Sequence, residues 1–85
     1  MQPLKKLRAA VIGLGHQSLD DHIPAILASS DVELTAVADI DKIKLEDFSR
    51  KNKNINIYEH FEDLLRLEKL DFVVIAVPHY LYNDI

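Results

Sequence analysis

Apolar residues gather along this chain in four short runs, and the stretches between them carry apolar residues at helical spacing. The first run, Leu7 to Ile12, holds a single charge at Arg8 and leads into Gly13 and Gly15, which reads as a buried strand entering a turn. From about Asp20 the period changes. Ile23, Ile26 and Leu27 share one helical face, Asp20 or Asp21 is placed to cap it, and Pro24 is tolerable only in the first turn. Ser29-Ser30-Asp31 closes that helix. Val32 to Ala38 is the second strand, ending at Asp39; a helix carrying Ile43, Leu45 and Phe48 follows, then a polar loop from Lys51 to Asn54. A short strand over Ile55 to Tyr58 precedes a helix marked by Phe61, Leu64, Leu65 and Leu67, with Glu62 and Asp63 at its positive end. Phe72 to Val77 is the last strand, and Pro78 closes it.

The resulting order is βαβαβαβ. Its strands are almost continuously apolar where one-sided strands would alternate, so both of their faces are expected to be covered. Short connections and right-handed crossovers then predict an α/β fold: a doubly wound parallel sheet, Rossmann-like and incomplete after the fourth strand. In the strand order 3-2-1-4 the last strand lies at an edge, and it carries neither charge nor internal proline, so pairing with another chain and a homo-oligomer are expected.

Composition narrows the function classes. The net charge of −4 leaves no basic surplus to neutralise phosphates, which argues against nucleic acid as a partner. There is no cysteine, so no disulfide framework and no thiolate metal site is expected, in keeping with a reducing, cytoplasmic setting. The longest strongly apolar run is the six residues Phe72 to Val77, far short of the roughly eighteen that span a bilayer. Lys5, Lys6 and Arg8 flank an apolar stretch as in a secretory signal, but that stretch is short and broken by Gly13, and a strand explains it better. The histidines, His16, His22, His60 and His79, show no paired spacing on one helix face, and no metal site is expected.

The candidate chemistry sits at the glycine turn. In a doubly wound sheet the first strand delivers Gly13 and Gly15 to the carboxyl edge, where ligands bind. Gly13 permits the tight turn, and Gly15, lacking a side chain, lets backbone amides approach a pyrophosphate. The third position of the G-x-G-x-x-G pattern is Ser18, small enough to be tolerated and carrying a hydroxyl able to donate to phosphate. Asp39 ends the second strand about twenty residues beyond, the place of an acid that accepts both ribose hydroxyls and repels a 2′-phosphate. NAD is therefore expected over NADP, with Lys42 and Lys44 close enough to leave NADP open. Asp39 also has a plain reading as a helix cap. Asp20 and Asp21 are expected to cap their helix and face solvent, since an inward orientation would compete with phosphate. His16 in the turn and His79 past the last strand could touch ligand, and Tyr80 and Tyr82 could line a nicotinamide pocket, although packing is the commoner role of such residues.

Over nearly its full length the chain resembles the N-terminal, dinucleotide-binding part of the glucose–fructose oxidoreductase/inositol dehydrogenase family, Gfo/Idh/MocA. The matching segments are RAAVIGLG, HIPAIL, VELTAVADID, IYEHFEDLL and LDFVVIAVPHYLYNDI. The resemblance implies a nicotinamide-dependent dehydrogenase acting on sugars, cyclitols or related polyols. It places Gly13, Gly15 and the backbone of Leu14, His16 and Gln17 at the pyrophosphate and Asp39 at the adenosine ribose. Ile40 is counted among the cofactor contacts, and Val77 and Pro78 lie beside the cofactor's middle. Ser18 departs from the family's third glycine or alanine, His22 matches its histidine only with one extra residue in the phosphate loop, and Tyr82 stands where histidine is common. The family's Glu-Lys-Pro segment and its substrate domain lie beyond residue 85, so residues 1–85 are expected to be the N-terminal portion of a dinucleotide-binding domain, inactive in catalysis alone. A nucleotide- or CoA-sensing module and a purely structural half-domain completed by a partner chain are the alternatives.

Overall fold

The uncharged core of the first strand is built for two-sided burial, and the computed structural model, which describes residues 6–76, shows it at the centre of a four-stranded parallel sheet. The elements are β1 (Leu7–Ile12), a π turn (Ser18–His22) running into α1 (Ile23–Ala28), β2 (Val32–Ala38), α2 (Lys42–Lys51), β3 (Asn56–Tyr58), α3 (Phe61–Leu67) and β4 (Phe72–Ile75). The strand order is β3-β2-β1-β4, the doubly wound arrangement the pattern predicts. Val77 and Pro78, together with His79, Tyr80 and Tyr82, lie outside the described residues.

Side-chain size decides how each face is covered. Val11, Leu34 and Val37 meet Leu14, Ile23, Leu45 and Phe48 on the face beneath α1 and α2. At its centre, flanked by Tyr58 and Val73, the opposite face presents the small side chains of Ala10, Ala36 and Ala38, which let α3 settle close enough to bury Leu64 completely. Leu34 and Val37 are three apart yet share a face because the register of β1 against β2 slips between Ala9 and Ala10, making Thr35 the extra residue. Its buried hydroxyl donates to the Ala9 carbonyl at 3.3 Å, which satisfies it where the ladder is interrupted.

Helix ends follow local chemistry. Asp41 caps α2, its carboxylate accepting the amides of Ile43 at 3.0 Å and Lys44 at 3.3 Å, while Arg50 and Lys51 sit favourably in the last turn. Within α2 the helical spacing selects Leu45 and Phe48 for the core, but Ile43, in the first turn, is 78% exposed, contrary to its expected core position. Leu65 and Leu67 of α3 are likewise exposed, because the one side that meets the alanine face is taken by Leu64.

The first helix is where expectation and structure part most. Helical conformation begins at residue 16, not near Asp20, and opens into a π turn in which the Ile23 amide donates to the Ser18 carbonyl five residues back. Pro24 follows at once. It has no amide to give and its ring crowds the carbonyl four residues earlier, so a wider turn ahead of it supplies the clearance. The π turn accommodates one more residue than an α-turn would while Ile23 and Ile26 stay on the apolar face of α1. Among the described residues, no helix is long and apolar enough to cross a membrane.

Candidate functional site

The parallel ladder aligns Ile12 with Ala38, so the residues just beyond both strands emerge side by side. Gly13 leaves β1 with φ 103°, a conformation that L side chains rarely adopt, and its amide donates to the Ala38 carbonyl at 2.7 Å. The chain can then turn back over the sheet edge and begin its helix immediately, with the Leu19 amide donating to the Gly15 carbonyl at 3.0 Å. Gly15 needs no special backbone angle, and a Cβ built there would meet nothing within 4 Å. Among the described residues, nothing in the packing requires a glycine at that position, and the space beside it is open.

Asp39 joins this turn. Its Oδ2 accepts the Leu14 amide at 2.7 Å and its Oδ1 accepts the Asp41 amide at 2.8 Å. The cap of α2 is Asp41, so Asp39 is not the helix cap that its alternative reading would make it. A carboxylate offers about four lone-pair sites, and two of these are used, leaving capacity for a diol. The acid is also held from behind: its own amide donates to the Tyr58 carbonyl at 3.1 Å.

The turn's amides therefore divide into two sets. Those of Gly13 and Leu14 are engaged by Ala38 and Asp39, so the Leu14 amide orients the acid. Those of Gly15, His16 and Gln17 have no protein acceptor among the described residues, as is usual for the first turn of a helix. The side chains of His16 and Gln17 are exposed, and Ile40, beside Asp39, is 75% exposed.

Ser18 is tolerated at the third position, but its hydroxyl is not exposed for donation to a phosphate. It is fully buried, and its Oγ has no hydrogen-bond partner among the described residues. Asp20 and Asp21 are exposed and make no capping bond; the Asp20 carboxylate instead lies 3.4 Å from His16 Nδ1 on the outer surface. The hollow between the two strand tips is thus free of both carboxylates. Sequence reasoning missed the Leu14–Asp39 bond and the Tyr58 carbonyl behind it, although the ladder register implies both once the strands are aligned.

A family-level sequence profile, described as an oxidoreductase family with an NAD-binding Rossmann fold, matches residues 7–85. A protein named as a UDP-kanosamine synthase oxidoreductase subunit of Amycolatopsis mediterranei (strain S699) is 31% identical over 80 residues, covering 93% of this chain and 22% of its own. The crystal structure of myo-inositol 2-dehydrogenase from Lactobacillus plantarum superposes with a TM-score of 0.82 at 26% identity, covering 94% of this chain and 24% of its own. The WlbA dehydrogenase from Bordetella pertussis, crystallised with NADH and UDP-GlcNAcA, superposes with a TM-score of 0.83 at 25% identity, covering 92% of this chain and 24% of its own. The chain spans about a fifth to a quarter of the length of these relatives. With its strand order, glycine turn and paired acid in place, this chain belongs to the Gfo/Idh/MocA oxidoreductase family, of which it is an NAD-binding Rossmann portion.

Proposed function

We propose that the rim shared by β1 and β2 holds the adenosine diphosphate half of a nicotinamide dinucleotide. The observation that carries this reading is the 2.7 Å bond that draws Asp39 onto the glycine turn, beside a Gly15 whose missing side chain leaves open space. The amides of Gly15, His16 and Gln17 receive the pyrophosphate, stabilised by the positive end of the helix. The unused lone pairs of Asp39 accept the ribose hydroxyls, and the exposed Ile40 offers apolar surface to the adenine ring. When bound, the cofactor supplies a hydride-exchanging nicotinamide. The residues described in this chain contribute binding and orientation of its other half.

In the longer enzyme this half-site serves hydride transfer between NAD and a sugar, cyclitol or related polyol, a substrate class supported by the inositol and nucleotide-sugar names of the relatives. Hydride transfer requires the substrate held against the nicotinamide, a task this reading assigns to a substrate domain outside these residues. NAD is favoured over NADP, because a carboxylate at Asp39 repels a 2′-phosphate. Assembly into a homo-oligomer belongs to the same reading, supported by Phe72 and Ile75 of the edge strand β4, which are 38% and 39% exposed. A cytoplasmic location accompanies use of the soluble nicotinamide pool.

The test is a calorimetric titration of the chain with NADH and NADPH. NADH binds with a dissociation constant of the order of millimolar, NADPH binds more weakly, and Asp39→Ala abolishes the difference. Absence of NADH binding at these concentrations overturns the proposal, as does a response to CoA or ATP equal to that for NADH.

A further inference from the structure

β3 is only three residues long, lies at the edge of the sheet beside β2, and leaves Asn56 and Ile57 exposed. Apolar burial is a poor anchor for such a strand. Beyond its ladder to β2 and the packing of Tyr58 on the alanine face, it is anchored by one oxygen of a buried carboxylate. Asn56 and Tyr58 are two apart and so share a face of the strand. Asn56 Nδ2 donates to Glu68 Oε2 at 3.0 Å, and the Tyr58 hydroxyl donates to the same atom.

Glu68 stands at the C-terminal end of α3 with its side chain 6% exposed. A carboxylate at that depth is retained only where donors and a cation offset its lost hydration. Arg8 supplies the cation, with Nη2 4.0 Å from Glu68 Oε1. Arg8 is itself fixed, its main-chain amide donating to the Asp71 carboxylate at 2.7 Å and its Nε to the Lys69 carbonyl at 2.6 Å. The hydrogen bond to Glu68, together with burial and the negative charges of Glu68 and Asp63, raises the Tyr58 phenol above its ordinary pKa, so the donor stays protonated.

Tyr58 is also the residue whose carbonyl receives the Asp39 amide at 3.1 Å. We propose that Glu68 is a positioning residue for the ribose-binding acid: it pins β3 through Asn56 and Tyr58, and the pinned Tyr58 carbonyl holds Asp39 at the glycine turn. The consequence for cofactor affinity rests on the function proposed above, but the positioning itself is a property of the ligand-free chain.

Amide hydrogen exchange in the ligand-free protein reads the positioning directly. In Glu68→Ala the Asp39 amide exchanges about tenfold faster, while the Val11 amide in the central strand is unchanged. Tyr58→Phe, which removes one hydroxyl and leaves the fold intact, shows the same localised acceleration in smaller degree. Glu68→Gln keeps an acceptor in place and restores most of the protection. In a parallel titration, Glu68→Ala weakens NADH binding by about two- to thirtyfold, and the loss vanishes in an Asp39→Ala background, where no side-chain acceptor is left to position. Equal acceleration at Val11 and Asp39, unchanged exchange at Asp39, or a loss of affinity that persists in full in Asp39→Ala overturns the proposal. Failure of the unmutated chain to bind NADH removes the cofactor reading alone, and the exchange arm then decides.

Discussion

Gly13 and Gly15 stand one residue apart in the same turn, and alanine at each has opposite consequences. At Gly13 the φ of 103° lies where an L side chain is strained whatever space surrounds it. Forcing alanine there costs about 1–2 kcal/mol, which in a domain of this size lowers Tm by roughly 4–16 °C. At Gly15 the backbone angle is ordinary and a Cβ meets nothing within 4 Å. Alanine is a poorer residue than glycine ahead of a helix, by several tenths of a kcal/mol, but it restricts the unfolded chain by a comparable amount. The two terms nearly cancel, and Gly15→Ala stays within about 0.5 kcal/mol of the parent, a Tm shift of no more than roughly 4 °C. The added methyl group does, however, enter the space through which a pyrophosphate reaches the amides of Gly15, His16 and Gln17. NADH affinity falls by at least about tenfold, or 1.4 kcal/mol. Thermal unfolding and an NADH titration of both variants decide the matter. A Gly15→Ala protein that binds NADH like its parent, or that loses as much stability as Gly13→Ala, would show that the open space has no ligand-related cause.

Ser18→Ala removes a buried hydroxyl that has no partner among the described residues and should raise stability by about 1 kcal/mol, roughly 4–8 °C in Tm; a lower Tm would show that the hydroxyl is satisfied. Asp41→Ala deletes the side chain that caps α2 and should cost about 1 kcal/mol in chemical denaturation; an unchanged midpoint would mean that the helix start is held by other contacts. In an ultraviolet phenolate titration, the chain's three tyrosines should include one, absent in Tyr58→Phe, that ionises above the ordinary range. Because the folded-state pKa is the higher one, the unfolded chain releases its proton first. Stability from this group is complete below about pH 10 and declines as pH rises toward the folded value. A Tyr58→Phe protein with the same alkaline stability profile as its parent would contradict that coupling.

What was legible in the sequence was what period and turn chemistry encode. β1 and β2 have the bounds their apolar runs predict, since a strand buried on both faces tolerates almost no polar residue and so declares its ends. Their register then brings Gly13 and Asp39 together, so the main pairing of the candidate site is legible in the sequence itself. The details that escaped are those in which spacing is conserved while geometry changes. A π turn adds a residue without disturbing the apolar face of α1, and a bulge at Thr35 swaps faces inside a run that is apolar on both. Ile43, Leu65 and Leu67 fit a helical period, yet the short helices meet the sheet over too narrow a strip to bury them. Glu68 was unreadable for another reason: a carboxylate at a helix end looks like solvated surface until two donors from a neighbouring strand are seen to share it.

The Leu14–Asp39 bond bears on how such a half-site could bind at all. A surface acid and a flexible glycine loop would each have to be ordered by the ligand, and that ordering would consume much of the interaction energy. Here the two strand tips are already joined, Asp39 is held at its carboxylate by Leu14 and Asp41 and at its amide by Tyr58, and the amides of Gly15 to Gln17 are left over by the same geometry. A dinucleotide can engage the remaining lone pairs and amides without breaking any bond described at the rim. The fold thus uses the Leu14 amide to fix Asp39, the acid that the proposed function assigns to the ribose. Replacing Asp39 with asparagine, which keeps one acceptor but loses the charge, should therefore weaken discrimination against NADPH more than it weakens NADH binding itself. A variant that lost both in equal measure would mean that the carboxylate serves only to shape the turn.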